Sequence, residues 1–388
     1  MNLRISFVSG IAAALLTPLL LSFEAAAQLA VSSNDGKAVL VNGVNTVPSN
    51  PTDDTVTVID LGASPPRVVG ELKAPSSVVG PPQNVAITPD ESIALVSANM
   101  KLDPADPKKT APDNRLSVID LKSNPPAVIA TLEAGLGPAG ISINRMGTLA
   151  LVANRNEGTV SVFTISGKTL TAAGKINFGN PTSGPCSVAF SPDGKMALVS
   201  RDGDHKISVL TIDGNKVEDT KQVMTGGFRP YAIQISPKGD IAVVGNQGGN
   251  TGDVDTINVI DLKGKAPRIV HTLDVGQIVE GLAFSNDGNY VALTAQDGSA
   301  RAASHPFFNE GGLVVVFSVN GTTLTKVAEA RIGKWNQGVV WSRDGKTLLA
   351  QNMVERTLSV LSFDGKTLKV TGEIKVNGGP EGLRTAER

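Results

Sequence analysis

The residues best suited to chemistry recur about every 50 positions along the chain, each just before a copy of one apolar phrase. These ring residues are Gln83, Ala139, Cys186, Tyr231, Glu280, Gln337 and Glu381. Two carboxylates among amides and a phenol could bind a cation through oxygen ligands, or could act as an acid and base pair. We therefore predict catalytic or metal-ligating roles for Glu280 and Glu381. The predicted ligand-binding members are Gln83, Cys186, Tyr231 and Gln337.

A second set of polar residues ends the apolar phrases or precedes the ring residues. The predicted ligand contacts in this set are Asn99, Asn154, Arg155, Asn246, Asn352 and Trp335. Arg201 and Arg229 could steady an oxyanion, and His205 could reach the same place from a loop. The alternative is a hydrated opening whose polar groups are satisfied by ordered water. Both interpretations require a fold that gathers these positions.

Repeated strand patterns predict such a fold. The phrase Val188–Arg201, two apolar strands around a Ser-Pro-Asp-Gly-Lys turn, recurs along the chain. A phrase that alternates apolar and polar residues, as in Thr159–Ile165, follows each copy and occurs seven times. Second strands are apolar on both faces, which requires neighbouring sheets on both sides. The sequence therefore predicts an all-β, seven-bladed β-propeller of four-stranded antiparallel blades, with a solenoid as the alternative.

One propeller domain is predicted over residues 28–388, closed by its N- and C-terminal segments. Leu29–Val31 and Leu383–Thr385 both match a first strand, and we expect the C-terminal copy to line the central tunnel. Antiparallel connectivity places the links between blades, and those between second and third strands, on one upper face. The elaborated loops, where function concentrates, fall there: Gly43–Asp54, Met100–Asn114, Gln247–Asp255 and Gln296–Gly312.

Residues 1–27 have the pattern of a cleavable export signal. Arg4 provides a positive start, Ile11–Leu21 is apolar, and Ala25–Ala27 offers small residues for cleavage before Gln28. The apolar stretch is too short to span a bilayer, which requires about 20 residues. We predict a periplasmic or secreted protein with neither a membrane span after cleavage nor a lipid-anchor cysteine.

The amino-acid composition excludes some classes of binding partner. The 35 Lys+Arg and 36 Asp+Glu residues give a net charge of -1, so no broad positive field exists to bind nucleic acid. A hydrophobic fraction of 41% excludes a disordered chain, and a single cysteine, Cys186, excludes an internal disulfide. The predicted partner is a small molecule or a protein at the upper face, and the chain is expected to be monomeric.

The phrase Leu151–Asn154, followed by Thr159–Val162, resembles the YVTN type of β-propeller repeat. That family occurs in exported bacterial proteins, surface-layer proteins and lactonase-like seven-bladed propellers. The resemblance covers nearly all of the chain after Gln28 and implies the propeller fold. It implies no single activity, because the repeated residues are structural.

Two functions therefore stay open. The elaborated loops, without a recognisable catalytic relay, favour a module that binds a small ligand, a cell-surface component or a protein partner at the upper face and tunnel mouth. The alternative implied by the resemblance is a lactonase-like hydrolase or lyase. It would use a glutamate at the tunnel mouth as base, with a divalent cation as one candidate cofactor.

Overall fold

The computed structural model describes residues 28–387 together with Met1. The predicted signal peptide lies outside the described residues. Every regular element in the described part is a β-strand, and no helix there is long and apolar enough to cross a membrane. The all-β prediction is confirmed.

Seven four-stranded antiparallel sheets form the blades of a propeller, which confirms the predicted architecture. Blades I to III contain, from the innermost strand outward, Gly379–Thr385, Leu29–Asp35, Thr55–Asp60 and Arg67–Lys73; Val85–Ile87, Ile93–Ser97, Arg115–Asp120 and Ala127–Glu133; Pro138–Ile143, Leu149–Asn154, Thr159–Ser166 and Thr169–Asn177. Blades IV and V contain Pro185–Phe190, Met196–Arg201, Lys206–Asp213 and Lys216–Met224; Pro230–Ile235, Ile241–Asn246, Asp255–Asp261 and Arg268–Gly276. Blades VI and VII contain Val279–Phe284, Tyr290–Ala295, Leu313–Asn320 and Thr323–Arg331; Asn336–Trp341, Thr347–Asn352, Thr357–Phe363 and Leu368–Lys375.

Blade I closes the ring with strands from both ends of the described chain. The C-terminal strand Gly379–Thr385 is innermost and pairs with Leu29–Asp35 in an antiparallel register that places Ala30 opposite Thr385. The expectation that the C-terminal copy lines the axis is confirmed. Innermost strands of neighbouring blades contact one another, so the ring residues lie around one channel.

Apolar clusters between adjacent blades hold the ring together. Val243 and Val259 of blade V pack with Leu282, Phe284 and Leu293 of blade VI, for example, and all five are buried. Burying one such side chain contributes about 1.5–3 kcal/mol relative to leaving it exposed. Each sheet must cover both neighbours, which explains why second strands are apolar on both faces.

Asparagines at the ends of second strands tie the blades internally. In blade III, Asn154 Nδ2 donates to Thr159 Oγ1 and Ser161 Oγ, both at 2.9 Å, and its Oδ1 accepts from Gly135 N at 3.0 Å. Equivalent side-chain bonds join Asn34 to Thr55 and Thr57, Asn246 to Thr256 and Asn258, and Asn352 to Thr357 and Ser359. These amides hydrogen-bond within their own blades, so this geometry does not support ligand contacts by Asn154, Asn246 or Asn352.

Two hairpins rise from the upper face in places where the sequence indicated only long loops. Val39–Val41 pairs with Val44–Thr46, and Met100–Leu102 pairs with Thr110–Pro112. We call the first of these the covering hairpin. It lies over the part of the channel described next.

Candidate functional site

A pocket of about 350 Å3 opens on the upper face beside the channel. Inter-blade links, upper loops and the covering hairpin contribute its lining, which is Leu40, Gly43, Asn45, Arg229, Gln247, Asn250, Ile278, Glu280, Gln296, Gly298, Ala300, Arg301 and Trp335. The predicted residues Arg229, Glu280 and Trp335 meet here. A concavity of this size, in which a few charged and polar groups converge beside apolar side chains, is the usual form of a small-molecule site.

Glu280 is the buried carboxyl of the pocket. Its side chain is held by two amides that both reach Oε1: Gln296 Nε2 donates at 2.6 Å and Gln247 Nε2 at 3.2 Å. Burial raises the pKa of Glu280 to about 8, and the Gln296 hydrogen bond and the Arg229 charge oppose that rise only in part. A carboxyl that titrates near neutral pH can give or take a proton at physiological pH.

Arg229 brings positive charge to the same pocket. Its Nη2 lies 3.5 Å from Oδ2 of the buried Asp202, which also binds Arg155 through Nε at 3.3 Å and through Nη2. One carboxylate thus holds two guanidinium groups, and the cluster keeps a net positive charge beside Glu280. Arg155 was predicted to bind ligand. In the structure its guanidinium hydrogen-bonds to Asp202, and Arg155 is not part of the pocket lining.

Three pocket residues have a backbone conformation that costs free energy. Arg229, Ile278 and Trp335 have φ of 57°, 56° and 52°, each two positions before a ring residue. At the same position, blades III and IV have Gly137 and Gly184, with φ of 66° and 62°. The left-handed conformation costs a residue with a side chain about 1–2 kcal/mol. Blades V to VII accept this cost where glycine would avoid it, and backbone strain of this kind concentrates at functional sites.

The covering hairpin forms the far wall of the pocket. At its tip, Gly43 has φ 78°, and a Cβ there would lie 2.6 Å from the backbone nitrogen of Ala302 in blade VI. Leu40 packs in an apolar cluster with Trp335 and Met353 beneath the hairpin. Asn45 reaches the pocket from the hairpin's second strand. Blade I therefore closes a site built from blades V to VII.

Arg301 adds a second cation to the pocket lining. Its Nε donates to Gln277 Oε1 at 3.0 Å, and its Nη2 donates to the backbone and side-chain oxygens of Asn250 at 3.3 and 3.2 Å. Neutral acceptors thus position this guanidinium. With Glu280 mostly protonated at pH 7, Arg229 and Arg301 make the pocket suited to an anionic or oxygen-rich ligand.

The side chain of Gln83 reaches across the channel from blade II to blade V. Its Nε2 donates to Ile233 O of blade V at 3.1 Å, and its Oε1 accepts from Ile233 N at 3.2 Å and from Ser187 Oγ of blade IV. Gln83 therefore crosses the channel as a structural bridge. Tyr231 is 5% exposed on the neighbouring wall, where burial raises the pKa of its phenol.

The second predicted carboxylate, Glu381, lies in a separate hydrogen-bond network. Asn84 Nδ2 donates to Oε1 and Oε2 at 3.1 and 3.0 Å. Burial, reinforced by the nearby charge of Asp35, raises the pKa of Glu381 to about 8. Among the described residues, Glu280 and Glu381 have no hydrogen-bond partner in common, and Glu381 is not part of the pocket lining.

The predicted metal site lacks ligands. Within residues 28–387, no three His, Cys, Asp or Glu side chains are grouped as a metal site requires. Calcium takes six to eight oxygen ligands. The groups that contact the Glu280 carboxyl are instead the side-chain amide nitrogens of Gln247 and Gln296. The donor set therefore does not fit a divalent cation at Glu280 and Glu381, and the chemistry below uses none.

The remaining predicted residues lie outside the pocket lining. Arg201 bonds Ser208 Oγ at 2.9 Å within blade IV and pairs with Asp204. His205 Nδ1 accepts from Arg229 N at 3.3 Å, which makes it a support for the link that carries Arg229. Burial raises the pKa of Cys186 to about 12, so its thiol is unreactive at neutral pH.

Two further predicted ligand contacts are buried away from this pocket. Asn99 Nδ2 donates to Gly137 O at 2.8 Å, so it ties blade II to the following link. Gln337 is 1% exposed on the innermost strand of blade VII, and its Oε1 has no hydrogen-bond partner among the described residues.

The sequence reasoning missed five polar residues of the pocket. They are Asn45, Gln247, Asn250, Gln296 and Arg301. All five lie in upper loops that were singled out for their length, and Asn45 is in the part of Gly43–Asp54 that belongs to the covering hairpin. Loop elaboration was the available signal, but it does not indicate which loop residues face inward.

Comparisons with known proteins agree on the fold. The family model described as lactonase, seven-bladed β-propeller matches residues 177–280, less than a third of the chain. No curated protein matches the sequence. The matched segment ends at Glu280 and includes Asp202 and Arg229.

Solved structures resemble the chain over most of its length. The periplasmic gluconolactonase PpgL of Pseudomonas aeruginosa is 19% identical, with a TM-score of 0.65 over 92% of this chain and 99% of that one. A candidate 6-phosphogluconolactonase of Bacteroides uniformis is 17% identical, with a TM-score of 0.69 over 92% and 99%. Hydrazine synthase of Kuenenia stuttgartiensis is 16% identical, with a TM-score of 0.60 over 80% and 90%. At these identities the likeness shows the propeller fold alone.

Proposed function

We propose that the chain is a hydrolase of small cyclic esters, of the sugar-lactone class, with its active site in the upper pocket. The observation that carries the proposal is Glu280, a buried carboxyl that lines the pocket together with Arg229. The pKa of Glu280, about 8, suits proton transfer near neutral pH. The lactonase family match and the two lactonase-related folds support the same reaction class. The proposal includes the assignment of the blades to the YVTN type of β-propeller repeat.

The reaction needs only the chain's own groups. Ionised Glu280 accepts a proton from water as the water oxygen attacks the ring carbonyl carbon. Arg229 stabilises the oxyanion that develops on the carbonyl oxygen. The ring C–O bond then breaks, and the proton passes from Glu280 to the departing alkoxide, giving an open hydroxy acid. Arg301 remains available to hold the hydroxyl-rich remainder of the ligand.

A binding role without turnover is the second candidate. The specific observation in its favour is that two amides hold Glu280 Oε1, which restrains the carboxyl that the hydrolytic step requires to move a proton. In that case the pocket holds an oxygen-rich ligand between Arg229 and Arg301. Calorimetry with gluconate, measured alongside hydrolysis, separates the two candidates.

The pH profile of lactone hydrolysis tests the hydrolase. Because Glu280 must be ionised to act as base, kcat/KM for δ-gluconolactone, corrected for spontaneous hydrolysis, is expected to rise about tenfold per pH unit below 8 and to level off above it. Stopped-flow measurement with a pH indicator between pH 6 and 9 gives the profile. A flat profile, or no rate above the spontaneous one, would contradict the proposal.

We also propose that the chain acts outside the cytoplasm, as the segment 1–27 predicts. The likeness to a periplasmic gluconolactonase is consistent with this placement. Expression of the full chain in a Gram-negative host is expected to yield a protein beginning at Gln28 in the osmotic-shock fraction, identified by intact mass. A control lacking residues 2–27 should stay in the cytoplasm. Uncleaved full-length chain in the cytoplasm would refute the export signal.

A further inference from the structure

The lower end of the channel contains a second cavity, distinct from the upper pocket. Its volume is about 60 Å3, and its lining includes Arg145, Gln234, Arg384 and Glu387. The Gln83 bridge to blade V crosses the channel between the two. The two cavities have no lining residue in common, so binding below can be tested separately from the reaction proposed above.

Arg384 is a buried cation with most of its donors unused. It belongs to the innermost strand of blade I and is 7% exposed. A guanidinium has five N–H donors, and within the described residues Arg384 makes one side-chain hydrogen bond, from Nη2 to Glu387 Oε1. Burial lowers the pKa of Arg384 to about 10. A buried cation so weakly partnered favours any anion that can reach it.

Arg145 adds a second positive charge to the cavity wall. Its Nη2 donates to Pro237 O at 3.0 Å, and burial lowers the pKa of its guanidinium. None of the ion pairs in the described part of the chain involves Arg145. Two guanidinium groups thus face one carboxylate, that of Glu387, and the lower cavity carries a net positive charge.

Glu387 already shows which chemistry the cavity accepts. Its Oε1 receives hydrogen bonds from Arg384 Nη2 and from Gln234 Nε2, the latter at 3.3 Å. The last residue of the closing strand is Thr385, so Glu387 lies beyond the β-ladder and side chains alone hold its carboxylate. A carboxylate held in this way can be replaced by another.

We propose that the lower cavity is a binding site for a small monocarboxylate anion of the size of formate or acetate, and that Glu387 occupies it as a tethered competitor. The ligand's carboxylate takes the place of the Glu387 carboxylate between Arg384 and Gln234. Arg145 supplies the second charge. The cavity volume limits the ligand to a few heavy atoms, since one water already requires about 10–15 Å3 of such volume.

Competition by the tail gives the test. A group tethered by a short linker acts at an effective concentration in the millimolar range. Removing it in the full-length Glu387→Ala variant is therefore expected to tighten acetate binding at least about tenfold, measured by calorimetry against sodium chloride of equal ionic strength. Glu218→Ala, which removes an exposed glutamate of blade IV, is the matched control and should bind acetate like the unmodified chain.

A second substitution tests whether Arg145 contributes to acetate binding. Arg145→Gln, introduced into Glu387→Ala, should abolish most of the gained affinity, and because Arg145 is only partly buried and makes no ion pair within the described residues, the variant is expected to fold. Lactone hydrolysis at the upper face should be the same in all these variants. Unchanged acetate affinity in Glu387→Ala, an equal response to chloride, or full affinity retained after Arg145→Gln would each overturn the proposal. The acetate-binding measurements do not depend on the upper pocket being a lactonase.

Discussion

Replacing Glu280 by glutamine is expected to lower kcat/KM for δ-gluconolactone hydrolysis about 10²–10⁴-fold, the range that general acid–base groups contribute. Glutamine has the same shape and can keep the pocket filled, but it cannot accept a proton from the attacking water. Gln247 and Gln296 donate hydrogen bonds to Oε1 of Glu280, and the side-chain oxygen of a glutamine at this position can accept the same bonds. Initial rates at pH 9, where Glu280 is mostly ionised, give the largest expected difference.

Glu381→Gln is the matched control for this experiment. Both glutamates lie on innermost strands, both are buried, and burial raises the pKa of each to about 8. Glu381 is absent from the pocket lining, so its substitution should leave the rate unchanged. Equal losses in both variants would indicate a general effect on the channel. Full activity in Glu280→Gln would remove Glu280 from the mechanism.

Arg229→Gly should separate function from stability. Removing a guanidinium that stabilises an oxyanion is expected to reduce kcat about 10²–10³-fold. Glycine adopts the φ of 57° without the steric penalty of a Cβ. The greater conformational entropy of glycine in the unfolded chain offsets this gain by about 0.5–1 kcal/mol. The free energy of unfolding should therefore stay level or increase by up to about 1 kcal/mol. Urea unfolding and steady-state kinetics on the same preparation measure both effects.

Arg356→Gly is the corresponding control, because Arg356 also has a left-handed backbone, with φ 56°, and is exposed outside the pocket. Its substitution should change stability in the same direction and leave the rate unaltered. A large loss of stability in Arg229→Gly alone would show that the Asp202 contact is structural. In that case the strained backbone would not be a sign of function.

Strand periodicity was sufficient to predict the fold. The alternating phrase of Thr159–Ile165 and the doubly apolar second strands reflect constraints that act within one blade and its neighbours. The prediction that Leu383–Thr385 lines the axis also followed from a local match and is confirmed. The position of Glu280 on an innermost strand was predictable for the same reason.

Side-chain partners were not predictable in this way. Asn154 ends an apolar phrase exactly as a ligand-binding residue would, yet two hydroxyls of the next strand bind its amide. Gln83 has the ring position of Glu280, but it crosses the channel to Ile233. Sequence position determines which end of a strand a residue occupies, whereas its partner depends on which neighbouring blade has a free group within reach.

The sequence by itself determined the seven blades, their closure and the placement of Glu280 and Arg229 on the upper side of the channel. Repeats encode these features, because each blade buries the same faces against the next. The tertiary structure alone decided that Glu280 and Glu381 occupy separate networks and that the covering hairpin of blade I completes a pocket in blades V to VII. Those relations join residues hundreds of positions apart through packing across the ring, and no repeat pattern records such contacts.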